Sequence, residues 1–203
     1  MGHSVQLIIG AGPATARFLR EWPIARLVEL RGGWQAIPVD EALYAAIEAR
    51  HPGAVRPSGL HMSALGLPAA VAAVTAGGGG LAYIETAYFG GAGGQSAMAF
   101  VDGQEVVAPQ SARGAGPINQ ALRRIGVVRT PAEDEFDTIG LGERRSMTDY
   151  APAGPVRLRR HAAVAETTTK PVDEVGYVPL WKIGLFILAF IAVGVFVAIA
   201  SQR

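Results

Sequence analysis

The sequence predicts a head domain of mixed helices and strands, α/β or α+β, followed by one transmembrane helix at the carboxyl end. Three observations lead to this prediction. Apolar runs of strand length alternate with helical segments along residues 1–150. Three consecutive strands in the centre of that region are separated by turn residues. Residues 183–200 carry no charged side chain. We therefore expect a mixed sheet that includes a three-stranded antiparallel meander, and a separate membrane anchor.

The amino-terminal part of the head is predicted to alternate between strands and helices. Residues 5–9 form an apolar strand, and Pro13 suits the first position of a helix that ends near Trp22. Two more strands are expected at residues 25–30 and 34–39. This order of elements is typical of a sheet that is covered by helices.

Three further helices are predicted in the head. Asp40 can cap a helix that runs to about Arg50, because its carboxylate can accept a hydrogen bond from a free N–H group of the first turn. An alanine-rich helix is expected within residues 63–76, ahead of four consecutive glycines. Another helix begins at Pro117 and stops at Gly126, a residue type favoured just beyond a helix C-terminus.

The centre of the head has the clearest strand pattern. Asp102 and Gly103 form the two-residue signature of a type I′ hairpin. A loop at residues 90–94, which contains four glycines, joins the first strand of the meander to the second, and the hairpin at Asp102 and Gly103 joins the second to the third. Residues 127–128 are predicted as a last strand, and the acidic residues 130–150 as a loop. The three strands of the meander are residues 81–89, 95–101 and 104–108.

Residues 179–201 are predicted to form the transmembrane helix, with residues 202–203 as a short tail. The uninterrupted apolar part, residues 183–200, would extend about 27 Å as a helix, close to the roughly 30 Å of a bilayer core. Within it, Gly194 and Ala198 form a small-xxx-small pair. Such pairs let two helices approach closely, so the anchor also permits self-association.

A flexible basic tether, residues 151–178, is predicted to join the head to the helix. Residues 151–203 hold six basic and three acidic side chains, whereas residues 1–150 hold 12 basic and 14 acidic ones. Lys170 and Lys182 precede the predicted helix, and only Arg203 follows it, so the tendency of positive charge to stay in the cytoplasm predicts a cytoplasmic head. The many Ala, Gly, Arg and Pro residues, with only two lysines, indicate a GC-rich bacterial genome, so we expect a bacterial inner-membrane protein. A mildly acidic head also argues against nucleic acid as a partner.

Glu85 is the leading candidate for a binding residue. Strand alternation places it among apolar neighbours, where a carboxylate needs a hydrogen bond, an ionic partner or a shifted pKa. The glycines of the adjoining loop permit close approach of a ligand or of a partner's backbone. A salt bridge to an arginine of the head is the alternative, structural role. The whole candidate site comprises Glu85, Tyr88, Gly90, Gly91, Gly93, Gly94 and Gln95.

Residues 5–29 resemble the dinucleotide-binding β–α–β fingerprint of flavoproteins and NAD-dependent enzymes. Gly10 and Gly12 match the first two glycines of that motif, and Thr15 stands in place of the third. The resemblance implies a parallel strand pair, a pyrophosphate at the helix N-terminus and a ribose bound by Glu29. An ordinary strand–turn–helix is the alternative.

The remaining residues favour binding over chemistry. The sequence contains no cysteine, and its four histidines lack the spacing of metal ligands. No catalytic motif is recognisable, so we expect neither an enzyme nor a cofactor. The leading hypothesis is a membrane-anchored accessory protein (a subunit, adaptor or immunity-type protein) whose head binds a cytoplasmic protein or a membrane complex. A small membrane-tethered enzyme or ligand sensor using Glu85 and residues 90–94 is one alternative, and a nucleotide-binding domain is another.

Overall fold

The computed structural model describes residues 2–90, 92–114 and 116–151, which form an α+β domain on a six-stranded antiparallel sheet. The strands are β1 (His3–Gly10), β2 (Val28–Glu29), β3 (Gln35–Pro38), β4 (Gly80–Phe89), β5 (Ala92–Val101) and β6 (Gln104–Ala112). The five α-helices of these residues are α1 (Pro13–Glu21), α2 (Glu41–Arg50), α3 (Leu67–Thr75), α4 (Pro117–Arg124) and α5 (Glu135–Thr138). Short 3-10 turns lie at Arg31–Gly33, Leu141–Glu143 and Met147–Tyr150.

The strand order is β2-β3-β1-β4-β5-β6, and every described pair is antiparallel. The predicted mixed sheet, and with it the α/β alternative, is therefore wrong. The turn at Arg31–Gly33 reverses the chain, so that β3 rather than β2 lies beside β1. The predicted strand at 25–30 accordingly shrinks to the two residues of β2. The predicted antiparallel meander, β4-β5-β6, is confirmed.

Both faces of the sheet are covered. Alternation along β4 directs Leu81 and Tyr83 to one face, and Ala82 and Ile84 to the other. Helices α1, α2 and α3 pack on the first face, and α4 and α5 pack on the second. Burial on two sides explains the uninterrupted apolar runs at residues 7–9 of β1 and 81–84 of β4, since both faces of the sheet meet helices there.

Helix starts follow their sequence signals. Pro13 and Pro117 are the first residues of α1 and α4, as predicted. The carboxylate of Asp40 accepts a hydrogen bond of 3.0 Å from the N–H of Leu43, which confirms the predicted cap of α2. The alanine-rich helix α3 falls within the predicted residues 63–76.

The end of α4 explains one wrong prediction. Gly126 has a φ of +105°, and its N–H donates to the carbonyl of Arg123. The next N–H, that of Val127, reaches back to the carbonyl of Leu122. These two bonds form a Schellman cap. Residues 127–128 therefore complete the helix terminus and do not form the predicted strand.

The acidic segment 130–150 is not the simple loop that was predicted. It contains α5 and two 3-10 turns, and it buries Ile139, Leu141 and Tyr150 beneath the second face of the sheet. These apolar residues are spaced with neither strand nor helix periodicity, so the sequence pattern did not reveal them.

The predicted membrane helix at 179–201, its pair Gly194 and Ala198, and residues 152–178 of the predicted tether lie outside the described residues. Within the described part of the chain, none of the helices has both the length and the apolar character needed to cross a bilayer. The membrane anchor therefore stays a prediction.

Candidate functional site

The predicted site residues gather at the end of the sheet where β4 turns into β5. Strand pairing continues to the pair Phe89 and Ala92, so β5 begins inside the predicted loop at 90–94. That loop is therefore shorter than predicted. Glycine has no side chain that distinguishes strand from loop, so composition could not place this boundary. Gly90 is described as part of the turn, whereas Gly91 lies outside the described residues.

The carboxylate of Glu85 anchors a distant loop. Its side chain is buried, and its Oε1 accepts a hydrogen bond of 2.5 Å from the N–H of His61. Its Oε2 accepts bonds of 2.9 Å from the N–H of Met62 and 3.0 Å from the hydroxyl of Tyr83. Three donors thus compensate for the loss of water around a buried carboxylate.

This arrangement replaces the salt bridge that the sequence offered as a structural role for Glu85. None of the ion pairs within the described residues includes Glu85. The prediction failed because main-chain N–H groups, which every non-proline residue has, leave no trace in the sequence. Burial and the neighbouring carboxylate of Glu85 together raise the pKa of the Tyr83 hydroxyl well above its ordinary value, so it remains a donor.

A cleft of about 510 Å³ lies beside Glu85, and we call it the Glu85 cleft. Its floor is formed by the ends of β4, β5 and β6, and one wall is formed by the loop that Glu85 anchors. The cleft combines one buried carboxylate with hydroxyls and a guanidinium, so it can bind polar and apolar groups together. Its lining residues include His61, Met62, Glu85, Ser96, Ser111 and Arg113.

Gly93 and Gly94 shape this cleft because they carry no side chain. Gly93 has a φ of +144°, and a Cβ atom there would lie 2.0 Å from the carbonyl oxygen of Ala87. A Cβ on Gly94 would lie 3.1 Å from the carbonyl oxygen of Ala112. Gly93 is therefore required by the hairpin itself, whatever binds in the cleft, and a side chain at Gly94 would make a tight contact with β6.

Tyr88 and Gln95 act mainly on the opposite face of the sheet from Glu85. The amide oxygen of Gln95 accepts a hydrogen bond of 3.1 Å from the N–H of Ile118, in the first turn of α4. The amide nitrogen of Gln95 lies 3.4 Å from the hydroxyl of Tyr88. The structure thus divides the predicted site into two parts, one on each face of the hairpin.

His3 joins the second part, although the sequence did not single it out. Its Nδ1 lies 2.7 Å from the hydroxyl of Thr86, and its ring packs against Phe136 at a centroid distance of 5.5 Å. Burial lowers the pKa of His3 below its ordinary value. A cleft of about 240 Å³ lies here between β4 and α4, and it is lined in part by His3, Tyr88, Gln95 and Asn119.

Phe89 lies at the tip, between the two parts of the site. Its side chain is 86% exposed, although a phenylalanine in a folded domain is usually buried. A third, shallower cleft beside it is lined by residues that include Ser4, Tyr88, Phe89 and Arg145. The signal in the sequence was an aromatic residue immediately before consecutive glycines.

The residues of the nucleotide-binding fingerprint do not form the unit that the resemblance implies. A parallel strand pair is required, but the neighbours of β1 are both antiparallel. Gly10 is needed for packing, because a Cβ there would lie 2.4 Å from the side chain of Leu81. Glu29 accepts a hydrogen bond of 2.9 Å from Gln35, and Gly12 precedes α1 with open space beside it. The alternative, an ordinary strand–turn–helix, describes these residues.

The fold and the site together define an α+β domain whose hairpin end carries clefts on both faces. Among the described residues, no group of three or more histidine, aspartate or glutamate side chains is arranged to hold a metal ion. No family model matches the chain, and searches of curated proteins and of solved structures return no match.

Proposed function

We propose that the protein is a membrane-anchored interaction protein, and that its head docks on a partner protein through the β4–β5 hairpin end. The supporting observation is the exposure of Phe89 at a tip that is flanked by clefts on both sides. An isolated exposed apolar residue is common on proteins, whereas one that adjoins concave surfaces is suited to insertion into a partner.

The chemistry of the tip favours a protein partner. Burying a phenylalanine side chain contributes roughly 1.5–3 kcal/mol, and aromatic residues are common among the side chains that dominate binding energy. Next to Phe89, Ala87 is exposed and Gly93 and Gly94 have no side chains, so a partner's main chain can approach closely. The clefts then accept the partner's side chains on either side of the strand pair.

The alternative of a tethered enzyme or ligand sensor receives less support. General acid–base catalysis needs a carboxyl group within hydrogen-bond reach of a substrate proton. Both oxygens of Glu85 already accept hydrogen bonds from the protein, and the residue is 2% exposed. This geometry suits an anchor for the wall of a binding cleft better than it suits a proton-transfer group.

Photo-crosslinking in living cells tests the docking surface. We expect benzoylphenylalanine in place of Phe89 to give one dominant crosslinked protein, because the tip inserts into the partner. The matched controls carry the same group in place of Val55 and Val128, which are 84% and 81% exposed. With the partner identified, Phe89→Ala should weaken its affinity at least tenfold, since truncating a central aromatic residue costs about 2 kcal/mol or more. Equal crosslinking from all three positions would contradict the proposal.

Protease protection tests the proposed topology. The charge distribution around residues 179–201 leads us to expect a cytoplasmic head attached to the inner membrane. Protease added to intact spheroplasts should leave the head uncut. The protease should digest the head once the membrane is permeabilised. Without protease, the protein should sediment with membranes. Digestion of the head in intact spheroplasts, with a cytoplasmic marker protected, would show the opposite orientation.

A further inference from the structure

A fourth cleft, away from the β4–β5 hairpin, lies where the carboxyl ends of three helices meet. It measures about 510 Å³, and we call it the arginine cleft. Arg17 and Arg20 come from α1, Arg50 from the last position of α2, and Val74 from the last turn of α3. Its remaining lining residues are Glu21, Trp22, His51, Ala70, Ala73 and Gly77.

One role of Arg17 is structural, because its side chain binds the carboxyl end of α3. The carboxyl end of a helix presents unpaired carbonyl groups and a partial negative charge, which attract cations. The Nε of Arg17 donates a hydrogen bond of 3.2 Å to the carbonyl of Val74. A Cβ on Gly77 would lie 2.9 Å from that same Nε, so the glycine leaves room for the guanidinium.

Helix capping does not use all the donors in the cleft. The Nη2 of Arg17 and the Nε1 of Trp22 are both buried, and neither has a hydrogen-bond partner among the described residues. Trp22 as a whole is only 3% exposed. Buried donors without protein partners are uncommon in folded proteins, and the acceptor atoms of a ligand can pair with such donors.

The positive charge of the cleft also indicates a ligand site. Glu21 pairs with Arg50 at 2.7 Å. Within the described residues, no ion pair includes Arg17 or Arg20. Since these two arginines are three positions apart on α1, they lie on the same side of the helix. Two guanidinium groups without an ionic partner among the described residues therefore line one concave surface, and Trp22 lines it beside them.

We propose that the arginine cleft binds a phosphate group, carried either by a soluble phosphorylated compound or by the headgroup of an anionic phospholipid. Guanidinium groups bind phosphate oxygens through charge-assisted and often paired hydrogen bonds. A tetrahedral phosphate presents oxygens in several directions, which suits the two guanidinium groups of Arg17 and Arg20 better than a planar carboxylate does. The apolar side chains of α3 would pack against the remainder of the ligand.

The test uses the full chain in a non-ionic detergent and measures thermal unfolding at constant ionic strength. One arm titrates inorganic phosphate against a chloride background, and the other titrates monomeric dihexanoyl-phosphatidylglycerol. We expect a saturable rise in Tm, because a ligand that binds only the folded state stabilises it. A higher apparent affinity for phosphate would identify a soluble ligand, and a higher apparent affinity for the lipid would identify a headgroup.

Substitutions link the response to the cleft. Arg17→Gln and Arg20→Gln should each weaken the apparent affinity at least tenfold. Arg124→Gln removes the same charge from α4, which packs on the other face of the sheet, and should leave the affinity unchanged. Arg20 is exposed, so its variant carries the test if Arg17→Gln does not fold. The proposal is overturned if neither probe saturates, or if all three variants bind as the native protein does.

Discussion

Glu85→Gln is expected to lower the free energy of unfolding by about 2–4 kcal/mol, because a buried carboxylate with three donors becomes an amide. The amide oxygen can accept only part of the three hydrogen bonds from His61, Met62 and Tyr83. The amide nitrogen is itself a donor, so it must face a donor group in a buried site. Urea titration of the full chain in non-ionic detergent, followed by tryptophan fluorescence, measures the change.

Two variants calibrate this expectation. Tyr83→Phe removes one donor and keeps the carboxylate, so we expect a loss of about 1 kcal/mol. Glu48→Gln is the matched control, since Glu48 accepts a single hydrogen bond of 3.1 Å from the N–H of Leu65 in the same connection between α2 and α3. Glu48→Gln should lower the free energy of unfolding by less than about 1 kcal/mol. If Glu85→Gln proves as stable as Glu48→Gln while a ligand is lost, Glu85 serves the cleft directly and the enzyme or sensor alternative regains its support.

The predictions that held rest on short-range physical chemistry. A cap at Asp40, a proline at the first position of α1 and a glycine after α4 each depend on a few neighbouring residues. The alternation along β4 likewise placed Glu85 on the face of Leu81 and Tyr83, since the period of two needs only the strand itself. The location of the candidate site at this strand's end follows from the same local pattern.

Contacts between distant segments account for the errors. The direction of β3 depends on the chain reversal at Arg31–Gly33, and nothing in the apolar runs distinguishes antiparallel from parallel neighbours. Two of the three donors to Glu85, the N–H groups of Met62 and His61, are 23 and 24 residues away, in a connection with no regular period. Because these two donors are main-chain groups, the sequence predicted that Glu85 needs hydrogen-bond partners but did not identify them.

The proposed docking surface at the hairpin end and the stability of the sheet depend on the same residues. The loop bound by Glu85 is also the wall of the Glu85 cleft, and Gly93 is both a strand residue and part of its lining. A change in Glu85 or Gly93 is therefore expected to alter folding and the proposed docking surface together. Separating the two effects needs variants that alter the tip without altering the main-chain hydrogen bonds between β4 and β5. Phe89 suits the docking test because its side chain is exposed.

Gly93→Ala is expected to destabilise the head by about 3 kcal/mol or more, because backbone strain and a steric clash act together. At a φ of +144° the native backbone lies outside the regions that L-residues adopt readily. The new Cβ would lie 2.0 Å from the carbonyl oxygen of Ala87 and 2.6 Å from the Cα of Tyr88. Both are main-chain atoms of the paired strand, so the clash is relieved only if the end of the hairpin separates.

Gly90→Ala is the matched control for this prediction, with the same added methyl group in the turn of the same hairpin. Gly90 has a φ of +59°, near the left-handed helical region, and a Cβ there meets no atom within 4 Å. Gly90→Ala should lower the free energy of unfolding by about 1–2 kcal/mol, which is the cost of the left-handed backbone conformation alone. Urea titrations of both variants, together with amide hydrogen exchange along β4 and β5, measure the difference. Equal stability of the two variants would show that the strand pair at Tyr88 and Gly93 is not formed as described.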